Sequence, residues 1–253
     1  MARRTRRRGD IGLSRRSRTV IALVGIGLAT AACVPEGVTD RGRQVSELYT
    51  WFMVAAAGVF VLVVGLLSWS IVRYRGQPGR DVIVPNPSRG NIPLEVAWWA
   101  APTALVIVLV VLTAGVLSQV DARAARPAVT VQVQGFQWGW RFAFPDAGVE
   151  VTGTPANPAR IDLPVGESIA FEITSRDVVH SFWIPAFLIK RDAVPGHPNR
   201  FDVTIEETGT YSGQCAEFCG LLHSRQLFEI TAVQPDQFQA WLDEQAATTG
   251  EAP

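Results

Sequence analysis

The sequence predicts a two-helix transmembrane hairpin followed by an all-β domain, a sandwich or barrel, held outside the membrane. Three observations predict it. Two runs of 25 uncharged residues, 48–72 and 96–120, are each longer than the ~20 apolar residues that cross a bilayer. Beyond them the apolar residues switch to a period of two, punctuated by Gly and Pro, as half-buried strands and turns require. The zero net charge also hides an asymmetry. Residues 1–120 carry 14 Arg against 6 acids, whereas residues 121–253 carry 9 basic residues against 17 acids.

Residues 1–33, MARRTRRRGDIGLSRRSRTVIALVGIGLATAAC, have a basic region, an apolar stretch from Val20 and small residues before Cys33. This is the layout of an export signal. Cys33 directly after Ala31 and Ala32 also resembles a bacterial lipoprotein processing site, at which the thiol is lipidated; simple cleavage and an uncleaved anchor remain open. Residues 34–47 form a short extracytoplasmic segment, 48–72 the first membrane helix, 73–95 a loop and 96–120 the second helix. Between the two helices Arg73, Arg75, Arg80 and Arg89 stand against Asp81, with Glu95 at the edge of the second helix, which places the loop in the cytoplasm, because short basic loops stay inside. Both flanks then lie outside, and 121–253 is an extracytoplasmic domain of a multi-pass cell-membrane protein. Trp98 and Trp99 suit a membrane interface, and Pro102 is tolerable within a membrane helix.

In that domain Val129, Val131 and Val133 alternate, and Phe136, Trp138, Trp140, Phe142 and Phe144 continue the period of two. ARIDLP, SIAFEIT, RFDVTIEE and QLFEITAV supply further short strands at the spacing of a sandwich or barrel. PDQFQAWLDEQ predicts a closing amphipathic helix that presents Phe238, Trp241 and Leu242, and the last seven residues, ATTGEAP, are expected to be disordered.

Chemistry concentrates in GQCAEFCGLLHSRQ, where Cys215, Glu217, Cys219 and His223 fall within nine residues. With Cys33 in the processing site, Cys215 and Cys219 form an even pair in an exported domain, for which a disulfide is the plain expectation. Neighbours favour a metal instead. His223 follows Cys219 by four residues, Gly213 and Gly220 permit a tight loop, and DVVHSFWIPAF places His180 among aromatic residues. Thiolates together with imidazoles favour copper or zinc. On the residues alone, metal and disulfide both stand. His197 has no such company and is expected at the surface.

GQCAEFCGLLHSRQ, preceded by DVVHSFWIPAFLIKRDAVPG and GFQWGWRF, resembles subunit II of the haem-copper cytochrome c oxidases, from the first membrane helix to the closing one. The resemblance implies a cupredoxin domain, a Greek-key sandwich or barrel, holding the dinuclear copper centre called CuA. His180 and His223 would each bind one copper, Cys215 and Cys219 would bridge both, and Glu217 would offer its backbone carbonyl while its side chain served a magnesium site shared with subunit I. The family has methionine as a weak axial ligand three residues after the second histidine; here Gln226 stands there, and the only methionines are Met1 and Met53. Glutamine oxygen is an alternative axial donor at copper sites, where this ligand tunes potential.

The resemblance also marks Trp138 for receiving electrons from cytochrome c, against the plainer role of a core aromatic in a strand. Glu95, the one acid adjoining the second helix, matches the mouth of a proton-uptake channel, against the plainer role of an interfacial charge. The acid excess suits steering of a basic cytochrome c, soluble, tethered or fused. Oxidase subunits I and III and membrane lipid are the other implied partners; no nucleic-acid partner is expected. The implied function is electron intake for a terminal oxidase that reduces oxygen and pumps protons. The alternative is a membrane-tethered protein that binds or delivers copper without an oxidase partner, for which Trp138 and Glu95 would be idle.

Overall fold

The computed structural model describes residues 35–75 and 90–250. The export signal with Cys33, loop residues 76–89 and the last three residues lie outside the described part.

Among the described residues two helices are long and apolar enough to cross a membrane, α1 (Asp40–Tyr74) and α2 (Ile92–Val120). Both begin before the apolar runs do, for local reasons. Thr39 caps α1 by accepting from the Gly42 amide at 2.9 Å, and Asp40 sits favourably in the positive first turn. Asn91 caps α2 by accepting from the Leu94 amide, while Glu95 reaches back to accept from the Asn91 amide, both at 3.3 Å. Glu95 therefore has a structural use at the start of α2.

Ten strands follow: β1 (Val129–Phe136), β2 (Gly139–Phe144), β3 (Val149–Gly153), β4 (Ala159–Pro164), β5 (Ser168–Ser175), β6 (His180–Ile184), β7 (Ile189–Ala193), β8 (Asn199–Thr204), β9 (Gly209–Cys215) and β10 (Leu227–Val233). They form two five-stranded sheets, ordered β3-β2-β1-β5-β8 and β4-β10-β9-β6-β7. The β1–β5 and β4–β10 pairs are parallel and the others antiparallel, so the expected sandwich is present, in mixed sheets. The period-two aromatic run is not one strand. It turns back at Gln137–Trp138, with Phe136 opposite Gly139, and Trp138 leaves the strand for the turn. Gly139 is required there, because a Cβ would lie 2.2 Å from the Gly153 carbonyl.

The helix α3 (Pro235–Gly250) closes the chain. It extends through residues expected to be disordered, since Ala246 and Ala247 favour helix and Thr248 Oγ1 donates to the Gln245 carbonyl. Phe238 and Trp241 pack on Phe144, as the amphipathic pattern predicts.

The core is aromatic and sits beneath the cysteine loop. Phe182 stacks on Phe228, centroids 4.6 Å apart, and meets Trp140 edge-on at 5.6 Å; Phe171 stacks on Phe201 at 5.0 Å. The hairpin is fastened to this sandwich at both ends. Before α1, the Val38 amide donates to the Ala186 carbonyl and the Val38 carbonyl accepts from the Glu206 amide, while Arg43 pairs with Glu206 and Glu207. After α2, Asp121 pairs with Arg191 at 2.6 Å. Phe182→Ala removes the ring shared by both sheets and is expected to cost about 3–5 kcal/mol in denaturant unfolding; a loss under about 1 kcal/mol, the range of ordinary surface substitutions, contradicts its central place.

Candidate metal centre

Strand pairing assembles the centre. β6 and β9 pair with Phe182 opposite Cys215, which brings His180, first in β6, beside Cys215, last in β9. β10 returns antiparallel to β9 with Leu227 opposite Gln214, so residues 216–226 must form a closed loop that carries Cys219, His223 and Gln226 back over the same point. Gly220 turns this loop at φ +117°, a conformation side chains avoid, and a Cβ there would press on the Trp138 ring at 3.1 Å.

The ligand atoms of His180, Cys215 and Cys219 lie within 4.8 Å of one another, all buried. The sulfurs are 3.8 Å apart and both cysteines are free, so the disulfide reading does not hold here. His180 turns Nδ1 to the Cys215 sulfur at 3.8 Å; His223 falls outside the 4.8 Å group but places Nδ1 3.6 Å from the Cys219 sulfur. The Glu217 carbonyl lies 3.3 Å from the Cys215 sulfur, with the residue itself exposed.

Gln226 completes the cluster from below, fully buried. Its Nε2 donates to the Gly139 carbonyl at 2.9 Å and the Phe136 carbonyl at 3.3 Å. Two carbonyls require the amide nitrogen on that side, which fixes Oε1 on the other, 3.0 Å from the Cys219 sulfur and 3.1 Å from His180 Nδ1. An oxygen donor thus stands where a weak axial ligand is expected.

Burial raises the cost of ionising either thiol, and the pair resolves this unequally. For Cys215, His180 and the amide environment of Glu217 and Ser181 outweigh burial and bring the thiol down to about 6. For Cys219, burial and then the neighbouring Cys215 thiolate push the thiol up to about 12. Burial also opposes protonation of His180, but Cys215 and Asp177 outweigh it and raise its pKa. One proton leaves readily and the second is held until a cation compensates it. Two thiolates, two imidazoles and two oxygens in a dry loop are the donor set of a soft transition metal, and copper fits it.

Asp177 is the residue the sequence reading missed. It holds His180 Nε2 at 2.9 Å, which leaves Nδ1 for the cluster, and it accepts from the backbone amides of Gln137 and Val178. Burial would raise this carboxyl; those hydrogen bonds outweigh it and lower the pKa. Its position three residues before His180 was the available signal, and a carboxylate behind a ligating imidazole is a recurrent arrangement.

Trp138 is half-buried at the cluster's edge, its Nε1 donating to the Cys219 carbonyl at 3.2 Å, beside Gln137 Nε2 on the same oxygen at 2.7 Å. Glu95 is in the first turn of α2, at the opposite end of that helix from the sandwich, and the structure does not bring it to this centre. His197 is exposed.

Fold and site together define a cupredoxin-type metal domain on a two-helix membrane anchor. The family profile "Cytochrome C oxidase subunit II, periplasmic domain" matches residues 155–233, which include the cysteine loop and His180. A probable cytochrome c oxidase subunit 2 of Streptomyces avermitilis is 36% identical over 251 residues, covering 84% of this chain and 78% of its own length. Cytochrome c oxidase subunit 2 of Mycobacterium bovis is 30% identical over 268 residues, with 83% and 74% covered. The periplasmic domain of cytochrome oxidase subunit II from Bradyrhizobium japonicum superposes with a TM-score of 0.47 at 29% identity, covering 50% of this chain and 99% of that one. The chain belongs to the cytochrome c oxidase subunit 2 family, subunits of an oxidoreductase complex.

Asp177→Ala removes the support behind His180. It is expected to weaken copper retention about 10–100-fold in chelator competition; unchanged retention would show that His180 needs no such support.

Proposed function

We propose that this chain is the electron-intake subunit of a terminal cytochrome c oxidase, accepting electrons from cytochrome c at a dinuclear copper centre and passing them to the haem-copper subunit I, where oxygen is reduced and protons are pumped. The observation that carries the reading is the convergence of the buried His180, Cys215, Cys219 and Gln226 oxygen with the half-buried His223 where the 216–226 loop closes over β6. His180, Cys215, Cys219 and His223 would hold the coppers, with the Glu217 carbonyl and the Gln226 oxygen as weaker donors. When bound there, copper would supply one-electron redox chemistry.

The residues around the loop would do the rest. His180 is held in one tautomer by Asp177, and His223 approaches through Cys219, so both imidazoles are oriented in advance. Trp138 would receive the electron. Its indole donates to the Cys219 carbonyl, giving a path of one hydrogen bond and a few covalent bonds to the Cys219 sulfur. The aromatic core excludes water beneath the loop, and Trp140 Nε1 donates to the Gln226 carbonyl at 3.4 Å, which stiffens the loop's last residue.

The basic loop that includes Arg73 and Arg75 would face the cytoplasm and the sandwich the outside. In that orientation Glu95 lies at the cytoplasmic end of α2, suited to the mouth of a proton-uptake path into subunit I. Glu217, exposed in the isolated chain, would turn its carboxylate to a magnesium ion shared with subunit I. Subunit III is a further expected partner, and Cys33 would carry the lipid of a processed lipoprotein.

Trp138→Ala is expected to slow reduction by cytochrome c while copper content stays normal, the two being measured separately; normal intake removes Trp138 from the path. The 17 acids against 9 basic residues in 121–253 predict that intake slows as ionic strength rises from about 0.01 to 0.15 M, where the Debye length falls from about 30 to 8 Å. A rate insensitive to salt points instead to a tethered or fused donor.

A further inference from the structure

We propose that Gln226 is a positioning residue for electron intake: its carboxamide ties the Trp138 turn to the metal loop, a tie that a thioether at this position could not make. The inference rests on the electron-intake reading for its functional meaning, and on hydrogen bonds for its physical content.

The turn between β1 and β2 is held from three directions. Gln226 Nε2 donates to the carbonyls of Phe136 and Gly139, the two residues that face each other across its mouth. The Gln137 amide donates to Asp177, and Gln137 Nε2 and Trp138 Nε1 both donate to the Cys219 carbonyl. In the other two ties the Asp177 and Gln137 side chains are exposed, so water can replace those contacts, while Trp138 is half-buried and its acceptor belongs to the buried Cys219. The Gln226 tie is different: that side chain is fully buried, as is Gly139, and no water stands ready to satisfy a carbonyl left behind.

The Gln226 backbone is itself tied on both sides. Its carbonyl accepts from the Cys215 amide at 3.0 Å and its amide donates to the His223 carbonyl at 3.2 Å. One carboxamide therefore joins the two parts whose spacing matters for electron transfer, with oxygen on the sulfur cluster and nitrogen on the hairpin that carries Trp138. Methionine would offer sulfur to the cluster but no donor to the hairpin.

The test compares Gln226→Met and Gln226→Leu with the unaltered full chain in detergent, all free of metal, by hydrogen exchange. Both variants are expected to raise exchange over residues 136–139 about tenfold, with the central β5 segment 169–173 unchanged as internal control. Unaltered exchange in the turn overturns the proposal and leaves Gln226 as a ligand only. If one variant also loosens the control segment, the other decides. In the copper-loaded chain, Gln226→Met is expected to slow intake at normal copper content, and adding Trp138→Ala is expected to slow it little further, because both act at one step; full additivity contradicts the tie. Failure of the unaltered chain to bind copper would remove the electron-intake reading, yet the exchange result would still decide whether Gln226 holds the turn.

Discussion

Two sulfurs 3.8 Å apart in a dry loop cannot both be charged unless a cation joins them, and the rest of the domain is arranged around that constraint. Cys215 gives up its proton readily because His180 and nearby backbone groups support the thiolate; Cys219 holds its proton because that thiolate is already there. The two thiols are therefore unequal, one favouring the thiolate and the other the thiol. Three further donors are held in place within the apo domain. His180 is fixed from behind by Asp177, Gln226 from behind by two carbonyls, and the Glu217 carbonyl by the loop itself.

Such preorganisation needs a stiff base, which the sandwich supplies. The rings of Trp140, Phe182 and Phe228 pack against one another beneath the loop. The membrane hairpin is fastened to the same body through Val38, Arg43 and Asp121, so the orientation of the domain against its anchor is fixed by hydrogen bonds and ion pairs as well as by the connecting chain.

The membrane helices and the β character were legible because each rests on a periodicity that solvent imposes: long apolar runs for lipid, alternation for a half-buried sheet. The residues of the candidate centre were legible because cysteine and histidine are scarce and crowd one short stretch. The place of Trp138 was not, since an aromatic at an even position reads as part of a strand; the turn that takes it out depends on Gly139 and on partners distant in sequence. Asp177 and the Gln226 tie were hidden for the same reason. A carboxylate in a loop gains much of its meaning from the Gln137 amide 40 residues away, and a glutamine at a position expecting methionine from carbonyls 87 and 90 residues away. The extension of α1 was also outside the apolar signal, because its first turns are held by the sandwich and not by lipid.

The most direct measurement is copper per chain together with the electron paramagnetic resonance spectrum of the oxidised, copper-loaded protein. Two coppers sharing one unpaired electron are expected, with His180, Cys215, Cys219 and His223 as their ligands and Gln226 as an oxygen donor beside them. A single copper with a localised signal, or none with Cys215 and Cys219 joined as a disulfide, would contradict the dinuclear centre and with it the electron-intake role.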